Sequence, residues 1–179
     1  MIIIMKYLGI AVLVLASLFV GSNASAHSDS VKIAENMKFN VQDVNGEETT
    51  FSHYLGKGPL LVNLWALWCE PCKQEMKAFI SLSDKLKDKG VSMISINTDQ
   101  VKSLAKVRAY VKTQGVKYPV LVDPDGSIAR DQFAMESLPF SLILRPDGTI
   151  YKKHVGFTAG DEVQIEKELD ELSAQLGSK

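Results

Sequence analysis

The chain changes character sharply between Pro59 and Lys89. The run Pro59-Leu60-Leu61-Val62-Asn63-Leu64-Trp65-Ala66 is nearly continuous in apolar residues, the pattern of a strand covered on both faces. It leads into Trp68-Cys69-Glu70-Pro71-Cys72-Lys73, and beyond Cys72 the residues Met76, Phe79, Ile80, Leu82 and Leu86 recur at helical spacing up to Lys89-Gly90. A buried strand that runs straight into a helix leaves few folds open. The strand must lie inside a sheet, and the helix must return across one of its faces.

The remaining segments extend that sheet. Phe39, Val41 and Val44 alternate with polar residues before Asn45-Gly46, and Thr49 to Phe51 follow, which predicts an N-terminal β-hairpin. Val91 to Ile96 reads as a second buried strand, Val101 to Gln114 as a helix stopped by Gly115, and Val120 to Val122 as a third strand before Pro124-Asp125-Gly126. Phe140 to Leu144 and Thr149 to Val155, joined by Pro146-Asp147-Gly148, predict an antiparallel hairpin, and Ile165, Leu169, Leu172 and Leu176 a final amphipathic helix. The order predicts one α/β domain over residues 37–179, a mixed central sheet flanked by helices, with no internal repeat.

Cys69 and Cys72 are the only cysteines in 179 residues, and a structural disulfide, a metal site and a redox-active dithiol compete to explain them. A four-residue loop gains only about 2 kcal/mol from a crosslink, against roughly 4.5 for a loop of about 90 residues, so a brace would be spaced more widely. A metal site needs about four ligands, and His27, His53 and His154 are scattered with no second Cys-x-x-Cys. No metal and no cofactor are expected. The redox reading accounts for location as well as spacing, because unpaired N–H groups and the helix dipole at a helix start favour a thiolate. Cys69 is then the exposed thiol, Cys72 lies one turn inward, and Pro71 fits the first turn, where its missing N–H costs nothing.

The N-terminus differs in kind from the rest. Lys6 precedes an uncharged run from Leu8 to Val20, and Ala24-Ser25-Ala26 forms an A-x-A site, so residues 1–26 read as a secretory signal peptide, with Met1 or Met5 as the start. The run is short of the roughly 20 residues that span a bilayer, which favours cleavage over an anchor. Polar residues 27–36 read as a flexible arm. Twenty basic against twenty-one acidic side chains leave a net charge of −1 and no basic block, which recommends neither nucleic acid nor an anionic membrane as partner.

The stretch Val62-Asn63-Leu64-Trp65-Ala66-Leu67-Trp68-Cys69-Glu70-Pro71-Cys72-Lys73-Gln74-Glu75-Met76 resembles the active-site segment of the TlpA/ResA-like thioredoxin family, and the later elements follow in that family's order. The resemblance implies a thioredoxin-like fold with a β-α insertion. It also implies a thiol-disulfide oxidoreductase acting in the periplasm or another extracytoplasmic space, and a monomer is expected. Ser137-Leu138-Pro139-Phe140 stands where the family has a cis proline facing the disulfide, so Leu138 and Pro139 are expected to line a substrate groove with Trp68, Glu70 and Pro71. A membrane thiol transporter is the implied electron donor. A disulfide in another exported protein, apocytochrome c among them, is the implied acceptor.

Two positions depart from thioredoxin or from the family. Thioredoxin itself carries a buried acid where this chain has Asn63, which cannot ionise. Glu75 matches the acid of the TlpA/ResA branch, and its i, i+3 spacing from Cys72 places it to accept that thiol's proton, against the alternative of a solvated helix glutamate. Lys77 replaces a helix proline. Glu70, beside Cys69, is expected to disfavour the thiolate while Lys73 and the helix dipole pull the other way, and the acid tips the reading toward a reductant over an oxidase or isomerase. Two other functions are weighed. A peroxidase of the P-x-x-x-T-x-x-C kind meets Ala66 at the threonine position, and a binding or chaperone module would use Trp65, Trp68 and Phe140 as an apolar surface. Asp99 and Asp123 read as turn or cap residues, and His53 and His154 as structural.

Overall fold

The computed structural model describes residues 34–178. The expected signal peptide (1–26) and residues 27–33 of the expected arm lie outside these. Residues 34–36 belong to the folded domain rather than to a flexible arm: the Ala34 N–H donates to the Asp147 carbonyl at 2.7 Å, and a 3₁₀ turn over Glu35–Met37 buries Met37.

Seven strands form one mixed sheet in the order β2-β1-β5-β4-β3-β6-β7. Strands β1 (Asn40–Asp43) and β2 (Glu48–Thr50) are the N-terminal hairpin. The Asp43 carboxylate accepts the N–H groups of Asn45 and Glu47 at 2.8 Å and so folds its turn. The strand β3 (Leu60–Trp65) pairs in parallel with β4 (Ser92–Asn97) and antiparallel with β6 (Phe140–Leu144). Between β4 and β6 the chain inserts α2 (Leu104–Gln114) and β5 (Val120–Val122), and β5 lies parallel to β4 and antiparallel to β1. Edge strand β7 (Ile150–Val155) completes the second hairpin, and its exposed Lys152 and Lys153 discourage pairing with another chain. Helices α1 (Glu70–Asp88) and α3 (Asp161–Gly177) flank the sheet.

All six residues of β3 are buried. Its pleat sends Leu60, Val62 and Leu64 into a core with Phe51, Ile94, Ile96, Phe133 and Leu142. Leu61 points the other way, into a layer with Phe79, Leu82, Leu86, Ile165 and Leu169 from α1 and α3. The alternation puts Asn63 and Trp65 on that α1-facing side as well. The continuous apolar run therefore reflects a strand sandwiched between two layers, each fully buried leucine contributing about 1.5–3 kcal/mol. With lysine at position 77, α1 runs unbroken for 19 residues.

The loop after β5 carries structure that its sequence did not announce. A π-helical turn, Ile128–Gln132, hangs on the buried Asp123 carboxylate, which accepts the N–H groups of Ile128 and Ala129 at 3.1 and 2.8 Å. Gly148 in the β6–β7 turn has φ +87°, and a Cβ there would stand 2.8 Å from Met37 Cγ. Gly148→Ala is expected to cost about 2 kcal/mol or more in urea unfolding, through backbone strain and displacement of Met37 together.

Candidate active site

The site grows out of the end of β3. The Cys69 N–H donates to Ala66 O at 3.1 Å, closing a turn that places Cys69 in an extended conformation as the N-cap of α1. Its Sγ accepts the Cys72 N–H at 3.3 Å, and Pro71 occupies the first turn, where no N–H is needed. The two cysteines form a disulfide with Cα atoms 5.3 Å apart. Cys69 retains 5% exposure and Cys72 none, so the expected order holds, but the outer sulfur shows only a sliver of surface. Trp65, Ala66, Met76, Val107, Val120 and Leu138 pack around the pair. The Leu138–Pro139 peptide is cis, as the resemblance implied, and Pro139 O accepts the Gly156 N–H at 2.8 Å.

Glu75 is 1% exposed, which rules out a solvated helix glutamate. Its Oε2 accepts from Asn63 Nδ2 at 2.6 Å and its Oε1 from Ser141 Oγ at 2.8 Å. Asn63 and Ser141 are ladder partners on β3 and β6, so the carboxyl is gripped by two neighbouring strands. Burial pushes its pKa up to about 7, although the bonds from Ser141 and Asn63 pull the other way. Ser141 was not anticipated. The signal was present, since a lone polar residue inside each of the buried runs LLVNLW and FSLIL demands a partner.

Three other expectations change. Glu70 is exposed and bonded to Lys73 at 2.9 Å, and this bond raises the Lys73 pKa. The pair is locally neutral, so Glu70 alone does not oppose a thiolate at Cys69. Trp65 and Phe140 are fully buried, which dismantles the apolar surface of the binding-module reading and leaves Trp68, 73% exposed, as its one accessible aromatic. Asp99 does more than cap a turn. Its buried Oδ2 accepts the Leu67 N–H at 2.7 Å and Asn97 Nδ2 at 2.9 Å, tying the loop before Cys69 to the end of β4.

The raised pKa of Glu75 has a stability consequence. Its carboxyl titrates near 4.5 when unfolded and near 7 when folded, so its neutral form favours the fold; that benefit is complete below pH 4.5 and is lost as pH rises through 7. The oxidised protein is expected to lose about 3 kcal/mol between pH 4.5 and pH 8 relative to a Glu75→Gln variant, read by urea unfolding at each pH.

The AhpC/TSA family profile matches residues 33–153. The chain is 34% identical over 133 residues to the thioredoxin-like protein YneN of Bacillus subtilis, covering 74% of this chain and 76% of that one. It is 31% identical over 126 residues to the thiol-disulfide oxidoreductase ResA of Bacillus thuringiensis, covering 70% of each. Its fold superposes with a TM-score of 0.66 on a secreted Mycobacterium tuberculosis disulfide oxidoreductase homologous to E. coli DsbE, at 20% identity over 77% of this chain and 98% of that one. With a disulfide at the mouth of β3 and a cis proline at position 139, the chain belongs to the AhpC/TSA family and, within it, to the ResA/TlpA-like thioredoxin proteins, as a thiol-disulfide oxidoreductase.

Proposed function

We propose that the protein is an extracytoplasmic reductant of disulfides in exported proteins, with Cys69 as nucleophile, Cys72 as resolving thiol and Glu75 as the acceptor of the Cys72 proton. The observation that carries the proposal is the buried Glu75 carboxyl, held by Asn63 and Ser141 and poised near neutrality. The Cys69 thiolate attacks one sulfur of the substrate disulfide and expels the other as a thiolate. Cys72 passes its proton to Glu75, and the new thiolate attacks Cys69 Sγ, releasing the second substrate thiolate. Substrate gains two electrons and the protein is left with the Cys69–Cys72 disulfide.

The surroundings of the sulfurs support this direction. Strong oxidants owe their potential to a heavily stabilised thiolate, whereas here an apolar shell encloses both cysteines and one N–H reaches Cys69 Sγ. Such a pair favours its disulfide form and gives electrons away. Export rests on the leader read in residues 1–26, and the secreted relative is consistent with it. Trp68, Glu70, Pro71, Leu138 and Pro139 form the substrate groove of this reading. A membrane thiol transporter supplies electrons to a monomeric protein, and apocytochrome c is one exported acceptor consistent with the family.

Insulin reduction under dithiothreitol should disappear in Cys69→Ser; retained turnover would remove the dithiol from the chemistry. Glu75→Gln should slow resolution of the mixed disulfide roughly a hundredfold and abolish an inflection near pH 7 in its rate, because below that pH the carboxyl already holds a proton. A reduction potential near or below about −270 mV fits a reductant, and one near about −120 mV would replace it with an oxidase.

A further inference from the structure

Four buried side-chain atoms have no hydrogen-bond partner among the described residues: Trp65 Nε1 and the three oxygens Asn63 Oδ1, Ser95 Oγ and Tyr118 Oη. The strand register sets Asn63 and Ser95 side by side, and Tyr118 lies just ahead of the neighbouring strand β5. Asn63 of β3 is the ladder partner of Ser95 on β4, so their side chains leave the same face about 5 Å apart. Ser95 pairs with Val120 of β5, and its N–H donates to Pro119 O. Tyr118 stands two residues before Val120, diagonal to Ser95, and packs with Leu61, Phe79 and Met93 of that layer. Asn63 and Ser95 are fully buried and Tyr118 is 9% exposed.

A buried polar atom without a partner is costly, and proteins commonly satisfy such groups with an ordered water that makes two to four hydrogen bonds. The three atoms are the complement one water needs. An amide oxygen only accepts, while two hydroxyls can each donate or accept. The water donates to Asn63 Oδ1 and to one hydroxyl, and accepts from the other. Asn63 is also the donor to Glu75, and an amide turned over would set its oxygen against the Glu75 carboxyl.

We propose that Asn63 Oδ1, Ser95 Oγ and Tyr118 Oη bind a single internal water, and that Ser95 and Tyr118 are thereby positioning residues that hold the Asn63 amide with its N–H toward Glu75. Tyr118 also lines a cleft of about 430 Å³ beside Ser83, Lys87 and Ser92. The inference uses the Asn63–Glu75 bond and not the redox role of Glu75.

A crystal structure of the oxidised protein at a resolution that orders internal water should show one peak within hydrogen-bond distance of all three atoms. Carbon-13 NMR of the Glu75 carboxyl should show its midpoint rising by at least half a pH unit in Ser95→Ala/Tyr118→Phe, about a threefold change in the ionised-to-neutral ratio, with Ser95→Thr near the parent value. Tyr118→Phe alone removes one oxygen and should move the midpoint in the same direction, which keeps the test open if the double variant does not fold. A crystal without that peak, or folded variants with an unmoved midpoint, overturns the proposal. Unchanged turnover in Glu75→Gln would instead count against the proton role of Glu75 and leave the hydration site standing.

Discussion

β3 is buried on both faces, and the redox end of the molecule depends on that. A strand sandwiched between two apolar layers cannot shift by one residue without turning Asn63 to the wrong side, so its register is fixed by the whole core. That register sets Asn63 beside Ser141 and Ser95, sends Trp65 under α2 to within 5.7 Å of the Tyr110 ring, and delivers Cys69 to the first turn of α1. The sulfurs need little further positioning. One turn bond to Ala66 and the Asp99 clasp on Leu67 complete the loop.

Glu75 and the disulfide share a layer that water reaches poorly. The carboxyl sits on the buried face of α1 with Cys72, Met76 and Phe79, yet two strands supply donors to it. Burial and hydrogen bonding oppose each other there, and burial wins, which leaves a group able to hold or give up a proton near neutral pH. The paired Glu70 and Lys73 lie outside this layer, where solvent screens them.

The sequence carried the skeleton well because the elements are strongly patterned. The runs at 60–65 and 140–144, the helix after Cys72 and the hairpin at Asn45-Gly46 are local signals, and the structure places them within a residue or two. The disulfide pair was legible from spacing and position alone, and the cis proline from family resemblance. What escaped was every contact between distant segments. Ser141 lies 66 residues from Glu75, and Asp99 lies 32 residues from the amide it holds. That Lys73 opposes Glu70 was legible in the sequence, but not that the two side chains meet at 2.9 Å. The turn at Ile128–Gln132 has no periodic pattern and exists because Asp123 reaches across it.

The narrow exposure of Cys69 works as a filter on shape. A sulfur with so little accessible surface, beside the exposed Trp68, can reach only a disulfide that protrudes on a pliable stretch of chain. A bridge packed inside a finished domain cannot be offered that way without unfolding first. For a reductant of the kind proposed above, accessibility alone would separate nascent or misassembled bridges from mature ones, and completed crosslinks would stay intact.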